Sequence, residues 1–270
     1  MAIRKFWIEN ANGDKVFLTE QYTKVFFNNP TGLGYSQSYE SVQYGDVIKG
    51  YSSQNFVSIG GEVVFFDERN KNKYEKYNEF VTFLSHTPLI LFYQIPTTPV
   101  QTYNIAVSVA SMDKTEVKRD GLLRCALTMQ TLSRWRGQQK TLTGTSSSYT
   151  IVNDGHMPVG FEISIEGNLV NPYFTLTQNS AIYGEAKFTD STAFDSIYVN
   201  SNDAEQNIEL YQSSAILPNP LSYQDLSISN GSIYVTFVKL ARGTTTLEIG
   251  MDSGSITGVE IKYTPIYRSI

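Results

Sequence analysis

The 270-residue chain carries 21 Lys and Arg against 26 Asp and Glu, a net charge of −5, with 41% hydrophobic and 13% aromatic residues. That apolar content excludes a disordered chain. The single cysteine excludes a disulfide framework or a thiolate metal cluster, and no apolar run reaches the length of a membrane span.

In chain order, residues 2–9 alternate imperfectly up to the turn cluster Asn10-Ala-Asn-Gly-Asp14, after which Val16-Phe-Leu18 resumes as the second strand of a hairpin. Gly32 and Gly34 lie in a loop-like stretch, but no GxxxxGK is present and no helix pattern follows, so a phosphate cradle is not predicted. Tyr35 to Tyr51 is polar with spaced Tyr and Val. It reads as a long exposed hairpin or edge strand, of the kind usually covered by a neighbouring subunit.

The convincing helix lies between two β-rich runs, Ile59–Phe66 and Leu89–Tyr93, the first with apolar residues on both faces. Asp67 and Asn70 offer N-cap side chains. Tyr74, Tyr77, Val81 and Leu84, with Phe80 beside them, form an apolar stripe, while Lys73, Glu75, Lys76 and Glu79 occupy the other side. Pro88 marks its end. Ile105, Val107 and Val109 then alternate on one strand, Lys114 to Gly121 forms a charged turn, and Leu123, Cys125, Leu127 and Met129 alternate on the next.

Trp135 closes this half. The Gly-, Ser-, Thr- and Gln-rich stretch 137–149 is the candidate linker. Beyond it every signal is β. Phe161, Ile163 and Ile165 alternate with Glu162, Ser164 and Glu166, and Leu247/Ile249/Met251 and Val259/Ile261/Tyr263 repeat the pattern. Turn clusters such as Asn153-Asp-Gly155 recur at sandwich spacing. Charge divides along the same line. Residues 1–140 hold 16 basic against 13 acidic side chains, and residues 141–270 hold 5 against 13. Neither half has the dense basic stripe of a sequence-reading nucleic-acid binder.

Candidate chemistry is sparse. His86 reads as a cap on the helix C-terminus, His156 sits in a turn, and no metal-ligand spacing joins them. Glu162 and Glu166 lie roughly 13 Å apart along one strand face, too far for a glycosidase pair. Asn200, Asn202, Asp203 and Glu205 lack the ordered spacing of a calcium loop. Cys125 points with Leu123 and Leu127 and reads as a core residue. Tyr198, Tyr211, Tyr223, Tyr234 and Tyr267 could stack on sugar rings, although tyrosine is equally ordinary on strands and at interfaces. No catalytic, cofactor-binding or metal-binding residue is assigned, and no enzyme activity or cofactor is expected.

Taken together, several segments resemble one family. They are Ile59-Gly-Gly-Glu-Val-Val-Phe-Phe66, the Tyr74/Tyr77/Phe80/Phe83-Leu84 helix, Leu89-x-Leu91-x-Tyr93, Met112-Asp-Lys-Thr-Glu116, Gly121-Leu-Leu and Ser133-Arg-Trp135. The second half adds Asn153-Asp-Gly155, Pro158, Ile163-Ser-Ile165-Glu-Gly167, Asn171-Pro172 and Phe237-Val-Lys-Leu240 followed by Gly243. In this order the chain resembles the distal tail (Dit) proteins of siphophages.

That resemblance implies a mainly β fold. An N-terminal, ring-forming domain (1–138), split-barrel-like with one helix at about 70–85, is joined by a linker (139–149) to a C-terminal galectin-like or carbohydrate-binding-module-like β-sandwich (150–270). It implies a structural virion protein at the tail tip or baseplate: a homo-hexameric ring joining the tail tube protein to a tail-associated hub protein. The ring would serve as a docking platform for receptor-binding proteins, with a central channel through which DNA passes. Met-Ala-Ile-Arg-Lys-Phe-Trp at the start lacks a signal-peptide core, which fits assembly in the host bacterial cytoplasm without membrane partners. At this length the large binding modules of some relatives have no room. The alternative reading is a glycan-binding module that contacts host cell-surface saccharide through its sandwich.

Overall fold

Period-two alternation dominates the sequence, and strands dominate the fold. The computed structural model describes residues 4–19, 25–34, 37–44, 47–54, 57–66, 70–115, 122–203, 205–212, 215–216, 221–222 and 232–270. The expected N-cap at Asp67, the turn residues Glu116 and Gly121, and Tyr223 lie outside them. Contacts divide the chain into two units, residues 1–137 with 267–270, and residues 138–266.

The first unit contains β1 (Lys5–Glu9), β2 (Lys15–Phe17), β3 (Val25–Thr31), β4 (Gln37–Tyr44), β5 (Val47–Gln54), β6 (Ser58–Phe65), α1 (Asn70–Leu84), β7 (Leu89–Ile95), β8 (Gln101–Thr115), β9 (Leu123–Thr131) and β10 (Trp135–Arg136). Its main sheet is antiparallel in the order β2-β1-β7-β8-β9-β6-β3. On β9, Leu123, Cys125, Leu127, Met129 and Thr131 all point inward, the alternation expected of a sheet with one face on a core. At the end of β6, Val63, Val64 and Phe65 are all buried, so this end is covered on both faces.

The sheet curls until its two ends meet. Leu18, just past β2, donates its amide to Phe6 O at 2.8 Å and accepts the Phe27 amide of β3 at 2.7 Å. The Phe6 ring stacks on Tyr93 at 4.5 Å and meets Phe27 edge-on at 5.8 Å. Curling of this kind satisfies edge backbone groups that would otherwise face solvent.

Helix α1 lies on β6, where Phe65 touches Tyr77 at 5.9 Å and Phe80 at 5.7 Å, both edge-on. The packed face differs from the expected stripe. Lys73 is buried at 3% exposure and Val81 is 42% exposed. The inward series is Lys73, Tyr77, Phe80 and Leu84, spaced i, i+4, i+7 and i+11, which rotates the stripe by a fraction of a turn. Lys114 from β8 sets its ammonium over the rings of Tyr74 (5.2 Å) and Tyr77 (5.4 Å), so the helix face is closed by a cation–aromatic contact in place of Val81.

The second unit holds β11 (Lys140–Gly144), β12 (Ser148–Asn153), β13 (Phe161–Val170), β14 (Tyr173–Gln178), β15 (Ala181–Thr189), β16 (Phe194–Asn200), β17 (Asn207–Gln212), β18 (Ala215–Ile216), β19 (Leu221–Ser222), β20 (Ser232–Val235), β21 (Gly243–Gly250) and β22 (Ser253–Tyr263). One sheet runs β11-β22-β13-β16-β17-β18, with β19 also on β17, and the other runs β12-β21-β14-β15-β20. Both contribute to a single core, in which Phe161, Ile163, Ile197 and Ile261 from one sheet join Phe174, Leu176, Phe188 and Leu247 from the other. That is a β-sandwich.

The stretch 139–149 is not a linker. Lys140–Gly144 pairs with β22 and Ser148–Asn153 pairs with β21, so the stretch supplies one strand to each sheet. Its Thr and Ser residues, which resemble a flexible connector by composition, are β-compatible on strands, and Leu142 and Tyr149 pack against the core.

Candidate interaction surfaces

The first surface is a backbone arm. Among the described residues β4 and β5 pair only with each other, in register from Gln37↔Gln54 to Tyr44↔Val47. A lone two-stranded ribbon is at best marginally stable in water, and its outer edges have no partner strand among the described residues. This is the hairpin expected within Tyr35–Tyr51, extended to Gln54.

The second surface is the outward face of β13, β16 and β17, where register builds a grid of three rows. Glu162 lies opposite Asn200 and Asn207, Ser164 opposite Tyr198 and Glu209, and Glu166 opposite Ser196 and Tyr211. Along each strand the inward positions are apolar, so alternation turns the nine polar ones to the same side. All of them except Glu162 border an open depression of about 650 Å³, to which Glu205 also contributes. Glu209 accepts hydrogen bonds from Tyr211 Oη at 3.0 Å and Asn207 Nδ2 at 3.3 Å. Burial, with the carboxylates of Glu162 and Glu209 beside it, pushes the Tyr198 phenol up to about 12.

The remaining candidates fall into structural roles. His86 Nδ1 lies 2.9 Å from Thr82 O in the last turn of α1, the capping position expected. His156 donates its backbone amide to Ile266 O. Cys125 is fully buried, and burial lifts its thiol to about 11 against the opposing pull of Lys114. Asp203 faces Lys239 Nζ at 2.7 Å, and Asn200 Oδ1 accepts the Asn202 amide at 2.9 Å, so this loop is held by its own contacts. Gly32 has φ +78°, and a Cβ there would collide with the Ser58 carbonyl. Close backbone approach explains that glycine.

The four tyrosines among the described residues separate. Tyr198 and Tyr211 are neighbours on the grid. Tyr234 stands 51% exposed on β20 of the other sheet. Tyr267 is not a sandwich residue: it belongs to the first unit, edge-on to Tyr103 at 5.0 Å. A tyrosine three residues from the end of a sandwich-like sequence carries no local sign that the chain has returned to the first core. The part played by Asn207 and Glu209 beside the tyrosines was not read from sequence. Their i, i+2 spacing is visible, but the pairing of β13 with β16 and β17 is not.

The described residues thus offer a two-stranded arm, a curled sheet and a polar trough. Residues 5–132 match the family model for the distal tail protein, N-terminal domain. The fold is similar to that of SPP1 Dit, described as a paradigm of the hub adsorption apparatus in phages infecting Gram-positive bacteria. That likeness has 14% identity and a TM-score of 0.66 over 96% of this chain and 98% of that one. A chain of the phage P2 baseplate in its activated conformation with Ca shares 14% identity and a TM-score of 0.56 over the whole of both chains. The corresponding Sr structure gives 0.55. No curated protein matches in sequence. Residues 5–132 thus carry the N-terminal domain of the distal tail proteins, and the chain as a whole has a fold similar to that of the solved distal tail protein.

Proposed function

We propose that six copies of the chain close into a ring through their first units. The ring would join the tail tube protein on one side to a tail-associated hub protein on the other, with a central channel for DNA in transit. The second unit would face outward as a docking platform for receptor-binding proteins, with no catalytic role. One observation carries the ring reading: the β4–β5 arm has no partner strand among the described residues, and a protein that keeps such edges uses them for association. Head-to-tail contacts of one arm with the next copy are heterologous, and heterologous contacts close into rings when the rotation permits. The want of a basic stripe suits a channel through which DNA must slide without sticking.

Native mass of the full-length chain over a concentration series, with negative-stain images, tests this. The expected result is a particle of six times the 30.3 kDa chain mass, seen as a ring with a hole. A chain that stays monomeric, alone and when mixed with its tube and hub partners, would overturn it.

A further inference from the structure

We propose that the outward face of β1, β2 and β7, centred on Trp7, Phe17 and Phe92, is the seat for the β4–β5 arm of a second copy of the chain. The inference rests on the ring reading above and names the contact between neighbours.

Alternation on β1 buries Phe6 and Ile8 in the first core and leaves Lys5, Trp7 and Glu9 on the opposite side. Register sets Trp7 between Phe17 of β2 and Phe92 of β7. The three rings form one block: Trp7 stacks on Phe92 at 4.9 Å with planes 3° apart and meets Phe17 at 5.8 Å. All three are half-buried, and none joins the apolar core of the first unit. On β8 and β9 the outward positions are small or polar, among them Asn104, Ala106, Ala126 and Thr128. The block is therefore a local feature, and aromatic patches of this kind mark association surfaces.

The arm suits this seat in shape, chemistry and charge. A two-stranded ribbon is marginal alone and gains by lying on an apolar surface. Its strands carry Tyr39, Val42, Tyr44, Val47, Ile48 and Tyr51. Residues 37–54 hold Glu40 and Asp46 against Lys49. The rim of the block holds Lys5 and Lys15 against Glu9, and the row through Phe92 continues to Asn104 and Arg136. An acidic arm thus meets a basic rim. Arm and sheet face are different surfaces, so the contact is heterologous, as a ring requires.

The chain has two tryptophans, and Trp135 is 3% exposed in the first core. Acrylamide quenching of the full-length protein therefore reports on Trp7. We expect quenching to fall as the protein assembles across a concentration series. Lys5→Glu with Lys15→Glu should raise the concentration needed for assembly by about tenfold or more, and Glu40→Lys with Asp46→Lys added to the same chain should restore it. Trp7→Ser should weaken assembly likewise; the charge reversals cover the case in which it fails to fold by thermal melting. Ile182→Ser, at a 64% exposed position of the second unit, should leave assembly unchanged. Assembly with Trp7 as open to acrylamide as in the monomer would overturn the inference and leave the ring standing. So would charge reversal without rescue, or shielding of Trp7 only when a tube or hub protein is added. A wild-type chain that assembles in no mixture would overturn the ring reading and this contact together.

Discussion

The carbonyl of Leu18 accepts the amide of Phe27 at 2.7 Å, although the two residues belong to opposite ends of the first unit's sheet order. Leu18 is fully buried, so it links the two ends through both its backbone and its side chain. Leu18→Ala should therefore cost about 2–5 kcal/mol, whereas Leu18→Met should cost less than about 1.5 kcal/mol. Urea unfolding of the two variants gives the comparison. Equal, small losses would mean that closure does not depend on this residue.

The rotated helix face gives a second contrast. Phe80 is 3% exposed and touches Phe65, whereas Val81 is 42% exposed. Phe80→Ala should lose about 3–5 kcal/mol, and Val81→Ser about 0.5 kcal/mol or less. Thermal melting distinguishes them directly, and a larger loss at Val81 would restore the stripe that the sequence suggests.

Asn153 holds the turn into the sandwich. It is 1% exposed, its Nδ2 donates to Met157 O at 2.9 Å and Leu240 O at 3.2 Å, and its Oδ1 accepts the Gly155 amide at 3.1 Å. Asn153→Ala removes these three hydrogen bonds, leaving the Gly155 amide and the Met157 carbonyl without this partner, and should destabilise the second unit by about 2–4 kcal/mol. Hydrogen exchange of the Val159 and Leu240 amides, which pair with each other's carbonyls, should quicken first.

Gly254, at φ +116°, lies where a Cβ would strike the Asn168 carbonyl. It sits on β22 opposite Leu169, just past the irregularity in β13. Gly254→Ala should cost more than about 1 kcal/mol, since both conformation and space oppose it. Gly34→Ala, with nothing near the added carbon, is the matched control.

Cys125 predicts a pH effect. Its thiol is lifted in the folded state from 9.0 to about 11, so between these values the unfolded chain gives up a proton that the folded chain keeps. Its contribution to stability is complete below pH 9 and is lost as pH rises toward 11. Wild-type stability should fall more steeply than that of Cys125→Ala across this window. The native thiol should resist alkylation at pH 8.

Much of this was legible because alternation reports directly on which side of a strand faces a core. Leu123, Cys125, Leu127 and Met129, or Phe161, Ile163 and Ile165, need no structure to be placed. Pairing between distant strands leaves no such trace, which is why residues 140–153 resemble a connector and why the Glu166–Ser196–Tyr211 row had to be seen. Lys73 could not be read as buried from sequence because charge alone argues for solvent. A contact formed by Lys114 from a strand some forty residues later redraws that face.

The return of Tyr267–Ile270 to the first unit makes residues 138–266 an insertion into one domain's chain, not a second domain appended to its end. Any exchange of the sandwich between relatives must therefore splice at two junctions. A fragment stopped at Gly137 would lack the Tyr267 ring that packs against that glycine and against Tyr103. Such a fragment would measure the behaviour of a damaged core, and the undamaged first unit is obtained by closing the gap between 137 and 267 with a short bridge.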